Sequence, residues 1–132
     1  GRELFMDKAR CFDCHFTPDF TADEFKNVGL YNGKDLNDEG RFAITRSPAD
    51  HGKFKVPGLR NVALTAPYMH NGMFRSLDEV IDFYNDPAKV VPDAINRDTS
   101  LAKPLNLTAT EKIELKLFLE ALTDDQFVRN DK

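Results

Sequence analysis

Apolar residues along this chain fall into three helical stripes separated by stretches in which no period holds. Between Glu3 and His15, Leu4, Phe5, Ala9 and Phe12 lie near one helical face. From Thr17 to Pro57 the pattern fails, broken by Pro18, Gly29, Gly33, Gly40, Pro48 and Gly52 and by many Asp and Asn residues. This predicts a long ordered loop region, which is uncommon in a compact domain unless it has a task such as wrapping a bound group. Ser76-Leu77-Asp78-Glu79 is a capping box opening a helix in which Leu77, Val80, Ile81 and Tyr84 recur at i, i+3, i+4 and i+7, so Tyr84 is expected to point inward. Asn85-Asp86-Pro87 ends it. Thr108-Ala109-Thr110-Glu111 is a second capping box, and Ile113, Leu117, Phe118, Ala121 and Leu122 mark the expected buried face of the last helix. No internal repeat, low-complexity segment or long alternating strand is present. The predicted class is all-α, a single domain over residues 1–132.

Composition narrows the function classes. A chain of 132 residues can bury one core without staples. Its net charge is -4, and Lys and Arg are scattered, so no nucleic-acid surface is expected. No apolar run approaches the roughly 20 residues needed to span a bilayer. Gly1-Arg2-Glu3-Leu4-Phe5 already reads as folded helix, which predicts no leader within these residues and a chain cut from something longer. Eleven Phe and three Tyr, with no Trp, supply walls suited to a flat apolar cofactor.

The two cysteines sit three positions apart, in Cys11-Phe12-Asp13-Cys14-His15, the C-x-x-C-H signature of covalent haem attachment. On one helical turn both thiols can add to the vinyl groups along a porphyrin edge, and the adjacent His15 projects its imidazole beneath the iron. A zinc site needs about four N or S ligands, whereas the other histidines, His51 and His70, stand alone in loops. A redox dithiol wants a βαβ context, and the flanking signals here are helical. The motif therefore predicts one covalent haem c held by Cys11, Cys14 and His15.

The second axial ligand sets potential and reactivity. The candidates are Met6, Met69, Met73, Tyr84, His51 and His70. Met6 is expected on the wrong side of the attachment helix. A methionine is more often a packing residue, and an inward tyrosine more often a wall residue with a hydrogen-bonded hydroxyl. His51, beside Gly52, reads as an exposed loop histidine. His70 adjoins an Asn-Gly turn and could face a domain interface or a propionate.

Taken in order, Gly1 to Phe5, Cys11 to His15, Gly40-Arg41-Phe42, Phe54-Lys55-Val56-Pro57-Gly58-Leu59-Arg60-Asn61-Val62 and Thr65-Ala66-Pro67-Tyr68-Met69-His70-Asn71-Gly72 resemble the C-terminal haem domain of the bacterial di-haem cytochrome c peroxidases. That family includes the di-haem enzyme that matures the quinone cofactor of methylamine dehydrogenase. The resemblance covers nearly the whole chain. It implies a cytochrome c-like domain with long ordered loops around one covalent haem, within a periplasmic enzyme. An N-terminal haem domain, absent here, would meet hydrogen peroxide, and this half would accept electrons from a small donor such as a cytochrome c or cupredoxin. In the peroxidases the distal ligand is a Met at the position matching Tyr84, fourteen residues beyond His70; in the quinone-maturing relative it is a Tyr. Tyr84 is thus the implied ligand, with Met69 or Met73 as the alternative, and a phenolate should lower the potential.

The resemblance further implies a calcium ion bound by backbone carbonyls of Thr65 and Pro67 together with the missing domain. Arg60 is suited either to clamp a propionate or to form a surface salt bridge. Pro57 and Phe54 are expected to line the porphyrin, and a homodimer is compatible with this reading. The isolated chain is expected to lack peroxidase turnover. Two other readings stay open: a stand-alone mono-haem electron carrier, and half of a di-haem oxidase acting on a protein or organic substrate.

Overall fold

The computed structural model describes residues 1–127. The chain divides into two compact units, one made of Gly1–Ala22, Pro57–Ile81 and the residues from Leu107 onward, the other of Asp23–Val56 and Asp82–Asn106.

The first unit is built on two helices in contact, α1 (Arg2–Met6) and α5 (Ala109–Glu120). Gly1 makes their close approach possible, because a Cβ there would collide with the Glu114 carbonyl and with Cβ of Phe118. Phe5 is fully buried, with its ring 4.9 Å from Phe118 and 5.9 Å, edge-on, from Phe20. The expected continuous helix from Glu3 to His15 does not form. α1 ends at Met6, Arg10 takes the left-handed conformation with φ 56°, and the chain restarts as a 3-10 turn, Cys11–Asp13.

The capping box of α5 is complete. Thr108 Oγ1 accepts from the Glu111 amide at 3.1 Å, and Glu111 Oε1 accepts from the Thr108 amide at 3.1 Å and from Lys8 Nζ at 2.6 Å. The buried face of α5 is not the expected one. Leu115 and Leu119 are 3% and 7% exposed, whereas Ile113 and Leu117 are 60% and 57% exposed, Ala121 is also exposed, and Phe118 and Leu122 are half-buried. The helix carries apolar residues on both sides, and contact with α1 selects the side holding Leu115, Phe118 and Leu119.

α3 (Leu77–Asn85) follows its expected start and stop. The Ser76 hydroxyl accepts from the Glu79 amide at 3.2 Å, but Glu79 reaches one residue further back than expected, to the Arg75 amide at 2.8 Å. Leu77 and Ile81 are buried, Val80 and Tyr84 half-buried, and Phe83, outside the expected stripe, is fully buried. Pro87 opens the next short helix, α4 (Pro87–Val90).

The second unit contains a four-residue helix, α2 (Phe42–Thr45), α4, and strands β1 (Phe25–Lys26) and β2 (Phe54–Lys55), paired antiparallel with Phe25 opposite Lys55. Beyond this short ladder, its loops are held by backbone bonds such as that from the Ile95 amide to the Tyr31 carbonyl at 2.8 Å and by side-chain amides. Buried Asn27 donates to the His51 and Ile95 carbonyls, each at 2.9 Å, and accepts from the Gly29 amide at 2.8 Å. Buried Asn32 accepts from the amides of Lys34 and Leu36. Gly52, at φ 71°, leaves room that a Cβ would take from Tyr31 and Asn27. His51 is not the exposed loop residue its sequence context suggests. It is half-buried, stacked on Phe42 at 3.6 Å and beside Tyr31 at 5.7 Å, because the turn before Gly52 folds its ring inward.

Candidate haem-attachment site

Although the attachment segment is not continuous helix, its local geometry keeps what the chemistry requires. The amides of Cys14 and His15 both donate to the Cys11 carbonyl, at 3.2 and 2.9 Å, so the two thiols and the imidazole share one turn. Both cysteines are half-buried and not disulfide-bonded. Burial pushes the Cys11 thiol up to about 12. That is opposite to the lowered pKa of a redox-active dithiol. Among the described residues no group of three or more His, Cys, Asp or Glu is placed to hold a metal ion.

His15 Nδ1 lies 2.8 Å from the Phe20 carbonyl. A carbonyl can only accept, so Nδ1 carries the proton and Nε2 keeps its lone pair for a metal. Desolvation lowers the His15 pKa below its ordinary value, opposed in part by the Phe20 and Pro57 carbonyls, so the ring stays neutral, as a ligand must. Sequence alone did not identify Phe20. Its part is played by a backbone carbonyl on a residue at φ 55°, for which no side-chain signal exists.

The other expected site residues divide between the units. Pro57, Arg60, Thr65, Pro67, Met69 and Met73 belong to the first unit with Cys11, Cys14 and His15, while Phe54 and Tyr84 belong to the second. Arg60 Nη2 donates to the Pro18 carbonyl at 2.7 Å, and its Nε lies 3.4 Å from Asp19. Thr65 donates its hydroxyl to the Val62 carbonyl at 3.0 Å, and Tyr68 does likewise at 2.9 Å. Met69 sits at φ 73°, and Asn71 Nδ2 lies 3.6 Å from the Met73 sulfur. Tyr84 is half-buried, with its ring edge-on to Phe83 at 5.2 Å. His70 is exposed, and Phe54 half-buried.

One turn bearing two thiols and a neutral, oriented imidazole defines a c-type haem attachment module, and the residues present fit that cofactor. Comparison with known proteins agrees. The chain is 36% identical to cytochrome-c peroxidase IdrP1 of Denitromonas iodatirespirans, over 93% of this chain and 39% of that protein. It is 38% identical to the methylamine utilization protein MauG of Methylorubrum extorquens, over 92% of this chain and 33% of that protein. The crystal structure of a MauG-like protein associated with microbial copper homeostasis superposes with a TM-score of 0.76 at 37% identity, covering 98% of this chain and 47% of that one. A variant of the di-haem peroxidase BthA from Burkholderia thailandensis shares the fold, with a TM-score of 0.75 at 23% identity. No family model matches. The chain belongs to the bacterial di-haem cytochrome c peroxidase family, which includes MauG, and matches a C-terminal portion of its members. It spans 41% or less of the length of the curated relatives it matches, 33% in the MauG of Methylorubrum extorquens.

Proposed function

We propose that this chain is the electron-transfer haem module of a periplasmic di-haem peroxidase-like oxidoreductase that reduces hydrogen peroxide. It carries one haem c, bonded through Cys11 and Cys14, with His15 and Tyr84 as axial ligands and Pro57 and Phe54 against the porphyrin. The observation that carries this reading is the His15 ring, neutral and fixed by the Phe20 carbonyl on the same turn that presents both thiols. Bound there, the cofactor supplies one-electron redox chemistry. The chain's own part is to orient His15, exclude water and set the potential through a phenolate from Tyr84. Electrons would come from a small donor protein and pass to a second haem domain, and calcium would bind at the Thr65 and Pro67 carbonyls only with that domain present. Support for Tyr84 over a methionine comes from its place on α3, half-buried beside Phe83, and from the MauG relatives. The same likeness favours a second reading, in which the full-length protein oxidises a protein or organic substrate.

Ferric and ferrous spectra of the wild type and Tyr84→Phe test the assignment. Expected are a low- or mixed-spin ferric form without the near-infrared band of Met ligation, and a high-spin, ligand-accessible form in the variant. An unchanged spectrum in Tyr84→Phe, with disruption in Met69→Ala or Met73→Ala, would put a methionine on the iron.

A further inference from the structure

We infer that Arg60 is a positioning residue for His15, acting through the loop Pro18–Phe20; the inference rests on the reading of His15 as an iron ligand. Phe20 holds the Nδ1 proton of His15 from a left-handed backbone, φ 55°, that a phenylalanine seldom adopts. Something must keep it there. Part of the restraint is the Phe20 ring, 5.9 Å from Phe5 and 6.2 Å from Phe118, both edge-on. The Thr21 amide, donating to the Phe16 carbonyl at 3.2 Å, adds to it, and a further restraint comes from one guanidinium that meets three consecutive loop residues. Arg60 Nη2 donates to the Pro18 carbonyl at 2.7 Å, Nε lies 3.4 Å from the Asp19 carboxylate, and the guanidinium carbon lies 5.9 Å from the centre of the Phe20 ring. Gly58 allows this approach, since a Cβ there would already stand 3.2 Å from the Asp19 carbonyl.

A plain surface ion pair is a weaker account. The side chains of Arg60 and Asp19 are 59% and 72% exposed, a setting in which the charge pair itself contributes little. The distinctive contact is the hydrogen bond to a backbone carbonyl two residues before Phe20, combined with the ring contact. A planar fork makes both at once, and an ammonium point charge does not. The consequence reaches the metal, because an imidazole whose N–H is firmly held by a carbonyl is a more basic ligand and favours the oxidised iron. A loosened loop weakens that bond.

The test uses holo-protein and reads the midpoint potential together with the paramagnetically shifted NMR signals of the His15 ring. Arg60→Ala should raise the potential and move the ring signals. Arg60→Gln, which keeps one donor for Pro18, should shift them less, and serves in place of the alanine variant if that fails to fold. Asp78→Asn, which breaks the Lys116 bridge of 2.8 Å in the same unit, should leave both unchanged. Wild-type potential and ring signals in both Arg60 variants, or an equal shift in Asp78→Asn, would overturn the inference. A wild type that carries no covalent haem would instead overturn the reading of the site on which it rests.

Discussion

His15 suits an iron ligand because burial and a backbone carbonyl each fix one part of its state, although they shift its pKa in opposite directions. Desolvation disfavours the imidazolium, and the Phe20 carbonyl assigns the remaining proton to Nδ1. The amides of Cys14 and His15 share the Cys11 carbonyl, which keeps both cysteines and the histidine on one turn, the arrangement that covalent attachment to one porphyrin edge needs. Denatured holo-protein should therefore retain its cofactor and show the added mass of one haem. Mass spectrometry after acid-acetone treatment checks this, and complete extraction would refute attachment. The C-x-x-C-H signature made these three residues legible, since the chemistry fixes both residue type and spacing. Phe20 and the αL residue Arg10 were not legible, because each acts through its backbone.

Helices α3 and α5 show how far patterning reaches at the scale of an element. Both helix starts fall where the capping signals put them, and the reciprocal box is complete at Thr108 while at Ser76 only the hydroxyl half forms, because an N-cap is a local device of four residues. The buried face of α5 was misread, because Ile113 and Leu117 form as regular a stripe as Leu115 and Leu119 and only a neighbour can choose between them. Leu115→Ala should cost about 2–5 kcal/mol, whereas Ile113→Ala should stay within about 0.5 kcal/mol. Denaturant unfolding of the two variants measures both. The cap also predicts a pH dependence. Lys8 and then the Thr108 amide hold the Glu111 carboxyl below its ordinary range, so the unfolded chain takes up that proton first as pH falls. The stabilisation is complete above the usual glutamate pKa and is lost as pH drops through the lowered one. Melting temperatures should thus fall less steeply with acid in Glu111→Gln than in the wild type.

At the scale of the whole molecule, the chain spans 39% of the IdrP1 relative and 33% of the MauG relative, and the proposed division of labour concerns the full-length protein. Under the proposed ligation by Tyr84 and His15, no position would stay open for peroxide. Purified holo-protein alone should show no saturable peroxide reduction in a steady-state assay, and rapid turnover would assign it the other half of the chemistry. Among the described residues no helix is long and apolar enough to cross a membrane. The sequence by itself determined the attachment turn, the two capped helices and the family, because these depend on residue type at short, fixed spacing. Only the tertiary structure decided which side of α5 is buried, that the segment before Cys11 breaks at Arg10, that Asn27 ties the loops of the second unit, and that Phe20 orients His15. Those outcomes depend on backbone groups and on contacts between residues far apart in the chain, and periodicity carries no record of either.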